Sequence, residues 1–492
     1  MKIKVAGISD NSYLRSIQHI IALFYEGPEW VEQGFDICVT FECITQRNEL
    51  LARVTLETKD ETFQEEKREA IKDTESIARL EKYAYRYVVL KVFERMTGVI
   101  QGWGVLTGIR PMKLYHNRWK EQKTEQEIKQ QLKKDFAIQE EKVTLMSEIA
   151  KRQLEAIPDL YNLKQAVSLY IGIPFCPTKC AYCTFPAYAI GGKQGSVNGF
   201  LSGLHYEIKE IGKTLKQLHI PVTTIYFGGG TPTSITAEEM DALYEEMYRS
   251  IPMEHVREIT VEAGRPDTIT EDKLRILKKW KIDRISINPQ SYTEETLKAI
   301  GRHHTVEETI EKYWVAREFG MTNINMDLII GLPNETIATF AHSLQETEKL
   351  KPESVTVHTL SFKRASTMTK NREKYEVASR EEVQEMMKLA EQWMKEHTYY
   401  PYYVYRQKNI LGNLENVGYS LKGKESLYNI LIMEEQQSII GLGCGAASKY
   451  VHPVTRKITR FANAKEPKAY NEKFEYYTHE KMKHLHELFA SI

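Results

Sequence analysis

An α/β core flanked by two α+β segments is the architecture this sequence predicts, and three observations predict it. Between about residues 165 and 365, strand-like and helix-like stretches alternate six times. The first 60 or so residues carry short β-type runs, followed by long charged helical stretches. Beyond about residue 375 come a further helix, aromatic strands and a last helix. Repeated βα units imply parallel strands with helices outside them, as an open sheet or a barrel. The expected segments are an extension of unknown role over 1–160, a core over 165–365 and a C-terminal segment over 375–492.

Each element follows from its residues. In the extension, residues 5–8, 35–39 and 51–56 are β-rich. From about 61 to 96 a helix is expected, because Leu80, Tyr83, Tyr87 and Leu90 recur at three- and four-residue steps. Gly98, Gly102, Gly104 and Gly108 break it, and helical stretches follow near 124–135 and 138–155. The core strands are expected at 167–171, 223–227, 258–262, 284–287, 324–329 and 354–359. Helices separate them near 199–216, 237–250, 271–280, 293–300, 306–319 and 336–349. The tail shows a helix with Met386, Met387, Leu389 and Trp393, strands around 399–405, a glycine-rich turn at 441–445 and a helix near 467–485.

Composition excludes several classes. Hydrophobic residues are 42% and charged residues 27% of the 492, which sets aside a disordered or fibrous chain. Lys plus Arg and Asp plus Glu are 67 each, so no global charge draws the chain to nucleic acid or anionic membrane. No apolar run approaches the roughly 20 residues of a membrane helix. The first residues lack a signal-peptide core. Six cysteines, three of them within eight residues, make no disulfide framework, and a cytoplasmic location is expected.

The chemistry-bearing signal is Cys176-Pro177-Thr178-Lys179-Cys180-Ala181-Tyr182-Cys183, just after the first core strand. Thiolates are the soft ligands that iron–sulfur clusters and zinc prefer. A structural zinc site wants a fourth Cys or His, and residues 184–204 contain neither. Zinc and buried inert cysteines stay as alternatives on spacing alone. Gly228-Gly229-Gly230-Thr231-Pro232 ends the second strand, where it reads as a tight turn or as a backbone cradle for a ligand.

Cys-x3-Cys-x2-Cys with an aromatic before its third cysteine, followed one βα unit later by Gly-Gly-Gly-Thr-Pro, resembles the radical S-adenosylmethionine (SAM) superfamily. That resemblance implies a partial (β/α)6 TIM-like barrel, with a 4Fe-4S cluster on Cys176, Cys180 and Cys183. It also implies SAM at the open iron, cleaved on reduction to a 5′-deoxyadenosyl radical. Tyr170, Glu262, Gln290, Arg302 and Asp327 further resemble the oxygen-independent coproporphyrinogen III oxidase-like family. In that family's pattern Tyr170, Gly229 and Glu262 hold the first SAM. Gly230, Thr231, Gln290, Arg302 and Asp327 contact a second, Tyr182 faces SAM, and Ala447 makes a backbone contact. The segment Thr107-Gly108-Ile109-Arg110-Pro111 resembles the longer HemZ-type branch.

The resemblance implies a tetrapyrrole substrate, met on the side of the C-terminal segment, and oxidative decarboxylation of propionates to vinyls in haem biosynthesis. It also implies a low-potential electron donor such as flavodoxin or ferredoxin, with no nucleic acid and no membrane span. Three positions depart from the pattern. Phe185 stands where the oxidases carry a fourth cysteine. Tyr428-Asn429 stands where haem chaperones carry a His-Asn pair, and Ala263-Gly264-Arg265-Pro266 follows Glu262. A tetrapyrrole-binding chaperone-like protein, or a radical SAM enzyme on another substrate, are the alternatives. His303 and His304 read as helix-end residues or as substrate neighbours.

Overall fold

The structure is a computed structural model that describes residues 1–25, 27–71, 76–108, 110–185, 187–190, 195–363, 366–407 and 410–489. Ile109 of the HemZ-like segment lies outside them. Two compact units divide the chain, Met1–Ser147 and Glu148–Ile492.

In the first unit, β1 (Lys2–Ala6) lies between a two-residue strand, Glu29–Trp30, and β2 (Ile37–Gln46). An antiparallel meander continues through β3 (Glu49–Glu57) and β4 (Thr62–Ala70). The helix Ile77–Thr97 covers one face and ends on Gly98 at φ 71°, a left-handed conformation that glycine adopts without cost. Residues 62–70 are therefore a strand where the sequence predicts helix. Thr62-Phe63-Gln64-Glu65-Glu66-Lys67-Arg68-Glu69-Ala70 has the charged composition of a helix, yet alternate residues are exposed and half-buried. Arg53 pairs with Glu66 across the sheet at 2.6 Å, and the Lys67 ammonium lies 3.7 Å from the Tyr87 ring centre. Tertiary pairing here overrides helix propensity. The helices Asn11–Ile21 and Met112–Lys120 were also not foreseen.

The second unit is built on one sheet. Six parallel strands lie side by side in chain order: β5 (Val167–Ile173), β6 (Val222–Gly229), β7 (Glu258–Val261), β8 (Arg284–Ser286), β9 (Ile324–Ile330) and β10 (Ser354–Thr359). They are buried almost throughout, as parallel strands covered on both faces must be. The helices between them start on hydroxyl caps. Ser196, Thr236, Thr270, Thr305 and Thr336 each accept the backbone N–H three residues on. Each cap fixes where a loop ends and a helix begins, and so sets the loop lengths above the sheet.

Residues 375–492 extend the same sheet at both edges. β12 (Asn416–Ser420) pairs antiparallel with β10 and carries β11 (Tyr400–Tyr405). β13 (Ser438–Gly443) pairs parallel with β5, and β14 (Ala447–Val451) and β15 (Ile458–Ala462) follow it. The helix Phe474–Phe489 supplies Lys481, whose fully buried ammonium pairs with Glu207 and donates to the Gly441 carbonyl at 2.7 Å. Glu207 also accepts from Tyr470 at 2.9 Å and from the Gly443 N–H at 2.6 Å. This buried network ties the glycine-rich turn to the helix Val197–Gln217. Among the described residues no helix is long and apolar enough to cross a membrane.

Candidate active site at the strand ends

Parallel strands leave their C-terminal ends on one side, where loops and free backbone groups gather. A cavity of about 360 Å³ opens there, lined from β6, β8, β9 and β10 and from the segments that follow β5 and β7, the first of which supplies the cysteines. Past Ile173 the chain forms a small parallel pairing, Phe175–Cys176 with Tyr188–Ala189. The Cys176 sulfur is buried 3.3 Å from the Thr231 hydroxyl. A turn closed by Cys183 N–H on the Cys180 carbonyl, 3.1 Å, brings the other two thiols to the same cavity.

Burial pushes the free Cys176 thiol up to about 11 and raises Cys183 as well. Burial thus disfavours a free thiolate here, and a bound metal would take the place of that proton. Among the described residues no set of three His, Cys, Asp or Glu closes on a single ion. In a four-iron cluster each cysteine binds a different iron, so one shared ion is not required.

Arg265 adds positive charge that the sequence did not advertise as functional. Its guanidinium donates to the Thr178 hydroxyl at 2.9 Å and lies 3.9 Å from the Cys180 sulfur. It also donates to both Asp267 carboxylate oxygens, at 2.9 and 2.6 Å, which hold it flat. The available signal was position: Arg265 follows β7 on the same side as the cysteines.

The glycine segment is pinned against the cysteine loop. Gly230 N–H donates to the Ile173 carbonyl at 2.8 Å and Thr231 N–H to the Phe175 carbonyl at 2.7 Å. A Cβ on Gly230 would sit 2.6 Å from the Phe175 carbonyl oxygen, and Gly229 has φ +108°. Glycine is required at both for the backbone to reach the cavity wall.

Glu262 stands beside this cradle, accepting from the Tyr226 hydroxyl. Burial pushes its carboxyl up to about 7, against that hydrogen bond. Tyr226 belongs to a ring stack, 4.4 Å from Tyr428 and 6.3 Å from Tyr170 between centres. Tyr428 thus packs under the Glu262 corner, and the next residue, Asn429, lines the cavity.

On the opposite wall Arg302 donates to the carbonyls of Gly264 at 2.8 Å and Asn288 at 3.0 Å, and to the Tyr182 hydroxyl at 3.3 Å. Asp327 accepts from the Asn325 amide at 2.8 Å and lies 3.5 Å from His358 Nε2. Burial works against its charge, yet His358 and Asn325 hold this carboxyl below its ordinary value. Gln290 is fixed at φ 67° by backbone bonds to Asp327 and Ile329. Tyr405 contacts the other ring nitrogen of His358 at 3.3 Å, and Gln407 donates to the Tyr405 hydroxyl at 3.3 Å.

The structure therefore gathers Cys176, Cys180, Cys183, Tyr182, Gly229, Gly230, Thr231, Glu262, Gln290, Arg302 and Asp327 around one cavity. Tyr170 lies behind the wall in the ring stack. Ala447 is exposed at the start of β14 and is not among the lining residues. His304 is buried, and burial with Arg302 and Arg265 holds its ring pKa down to about 3. Sequence reasoning missed Arg265, Tyr226, His358, Tyr405 and Lys363. Their signal was alternation on β6, β10 and β11 and position in the loops just past β7 and β10, which names the face but not the partner.

The residues present fit a cluster with SAM. Three cysteines without a fourth ligand suit a cluster with one open iron. The carboxyl of Glu262, poised near 7, suits a cationic group. Among the described residues the buried Gln290 Oε1 and Arg302 Nε lack partners, and a polar ligand would supply them.

The comparisons agree with this geometry. The model of the radical SAM superfamily matches residues 170–347. The oxygen-independent coproporphyrinogen-III oxidase-like protein HemZ of Bacillus subtilis is 59% identical, over 99% of each chain. The haem chaperone HemW of the same organism is 32% identical over 57% of this chain and 70% of its own. Among solved structures, coproporphyrinogen III oxidase (HemN) from Escherichia coli, a radical SAM enzyme, matches with TM-score 0.52 at 21% identity. That match covers 66% of this chain and 72% of the other, and carries the fold.

Proposed function

This chain belongs to the radical SAM superfamily and, within it, to the oxygen-independent coproporphyrinogen-III oxidase-like proteins of the HemZ type, and from that premise we propose that it oxidatively decarboxylates porphyrinogen propionates to vinyls. The observation that carries the reading is the convergence of the three cysteines, the glycine cradle and Glu262 on one cavity. A 4Fe-4S cluster with SAM at its open iron supplies one-electron hydrogen abstraction. Loss of a hydrogen atom, carbon dioxide and one electron turns –CH2–CH2–COO⁻ into –CH=CH2, so a one-electron acceptor takes part.

The chain's own residues bind, orient and exclude water. Cys176, Cys180 and Cys183 would hold the cluster, and Arg265, 3.9 Å from the Cys180 sulfur, would offset its negative charge. The backbone at Gly229, with Tyr226 and Tyr170 beneath, shapes the first SAM site, and Glu262 receives its cationic end. Gly230, Thr231, Gln290, Arg302 and Asp327 form the site of a second SAM, which suits a substrate with two reacting propionates. The electron that such a cluster would need would come from a low-potential donor such as flavodoxin or ferredoxin.

The test is anaerobic incubation of reconstituted, reduced protein with SAM and coproporphyrinogen III. Formation of 5′-deoxyadenosine, carbon dioxide and a vinyl-bearing product is expected. Tight haem binding without decarboxylation would place the chain with the carriers, as the likeness to haem chaperones allows.

A further inference from the structure

The charged groups of the cavity wall fall into two sets. Asp327 is engaged by His358 and Asn325, Glu262 by Tyr226, Arg265 by Asp267, and Arg302 by two carbonyls and Tyr182. Lys179 and Lys363 differ: among the described residues neither ammonium has a hydrogen-bond or ion-pair partner. Lys179 is exposed, whereas Lys363 is half-buried.

The backbone at Lys363 is well defined. Leu360 N–H donates to the Ile330 carbonyl at 3.0 Å, and Leu411 N–H donates to the Leu360 carbonyl at 2.9 Å. Ser361 pairs with Ile410, and the Lys363 carbonyl accepts the Ser366 N–H at 2.9 Å. Lys363 thus lines the cavity just past β10. The charged group that faces it is the Cys183 sulfur; a half-buried ammonium with no hydrogen-bond acceptor is still unfavourable, and an arriving carboxylate supplies one. Apolar surface flanks it in the same cavity. Phe185 is 57% exposed, an unusual state for a phenyl ring, and Ile329, Leu360 and Met433 line the wall. A cavity that holds a cation and an open aromatic ring on its lining matches a ligand that carries carboxylates on an apolar ring system.

We propose that Lys363 is the carboxylate anchor of the substrate, pairing with a propionate of a porphyrinogen whose ring edge contacts Phe185. This assignment rests on the porphyrinogen reading above and goes beyond it by naming a specificity-determining residue. SAM also bears a carboxylate, so the experiment must separate the two sources.

Fluorescence titration of anaerobically reconstituted full-length protein with coproporphyrin III, a tetra-acid, and with its tetramethyl ester makes that separation. Lys363→Met should weaken the tetra-acid roughly tenfold and leave the ester within a factor of about two. Lys363→Arg should restore most of the affinity. Iron content and equilibrium SAM binding, measured on the same samples, report a folded cluster site. Equal tetra-acid affinities for wild type and Lys363→Met would overturn the assignment, as would a parallel loss of SAM affinity, which would give the ammonium to SAM. Turnover separates this from failure of the oxidase reading. Tetra-acid binding that depends on Lys363, without decarboxylation, sinks the oxidase and keeps the anchor. Decarboxylation with an unchanged KM in Lys363→Met sinks the anchor and keeps the oxidase.

Discussion

The two walls of the cavity hold one half-buried carboxylate each, and the two are shifted in opposite directions. Glu262 faces a hydroxyl and a glycine cradle, and its carboxyl rises to about 7. Asp327 is just as deep but faces an imidazole and an amide, and its carboxyl is held low. Depth is equal, so partners make the difference. Glu262 has only the Tyr226 hydroxyl as a side-chain hydrogen-bond partner, whereas Asp327 has both His358 and the Asn325 amide against it. The first is built around a ligand to come. The second is an internally paired lattice in which Gln290 Oε1 and Arg302 Nε are the open points.

The sharpest break of this comparison is Glu262→Gln. It keeps size and the Tyr226 contact but removes the ionisable group, and 5′-deoxyadenosine formation should fall about a hundredfold or more. Iron content should not change. A rate within threefold of wild type would deny Glu262 its role at the first site.

Arg302→Lys comes next. Lysine cannot donate to Gly264, Asn288 and Tyr182 from one planar fork, so affinity for a second SAM should drop about thirtyfold. Equilibrium binding that finds one SAM per chain in wild type, with no change in the variant, removes the second site. Asp327→Asn should cost less, about tenfold in the same titration. Asparagine keeps an acceptor for Asn325 and loses only the charge opposite His358.

The smallest effect is a pH dependence that should belong to one wall alone. A carboxyl raised to about 7 in the ligand-free protein is mostly protonated below that pH. Binding a cation then releases a proton, so SAM affinity should rise from pH 6 to pH 7 and level off above it. The ligand-free fold should show the opposite sign. Protonated Glu262 is favoured in the folded chain, so that contribution to stability is complete below the ordinary carboxylate value and is lost as pH rises through about 7. Both trends should vanish in Glu262→Gln. An identical slope in that variant would assign the proton elsewhere.

Much of this was legible before the coordinates. The six core strands lie within two residues of the expected ranges, as β6 (Val222–Gly229) and β9 (Ile324–Ile330) illustrate. Apolar period and turn residues are local signals, and buried parallel strands make them strong. Thr62–Ala70 was misread for the converse reason: its Glu, Lys and Arg residues favour helix, and only pairing with β3 and the rings of Tyr83 and Tyr87 makes it a strand. Arg265 could not be found from spacing, because its partners Thr178 and Cys180 lie more than 80 residues away.

The sequence by itself determined the βα order, the cysteine spacing and the glycine cradle, because each depends on residues within a turn or two of one another. Tertiary structure alone decided which strand caps each edge of the sheet, that Tyr170 sits behind the wall in a ring stack, and that the Glu262 and Asp327 carboxyls are shifted in opposite directions. Those outcomes depend on which distant groups share a desolvated space, and a buried charge takes its character from its neighbours.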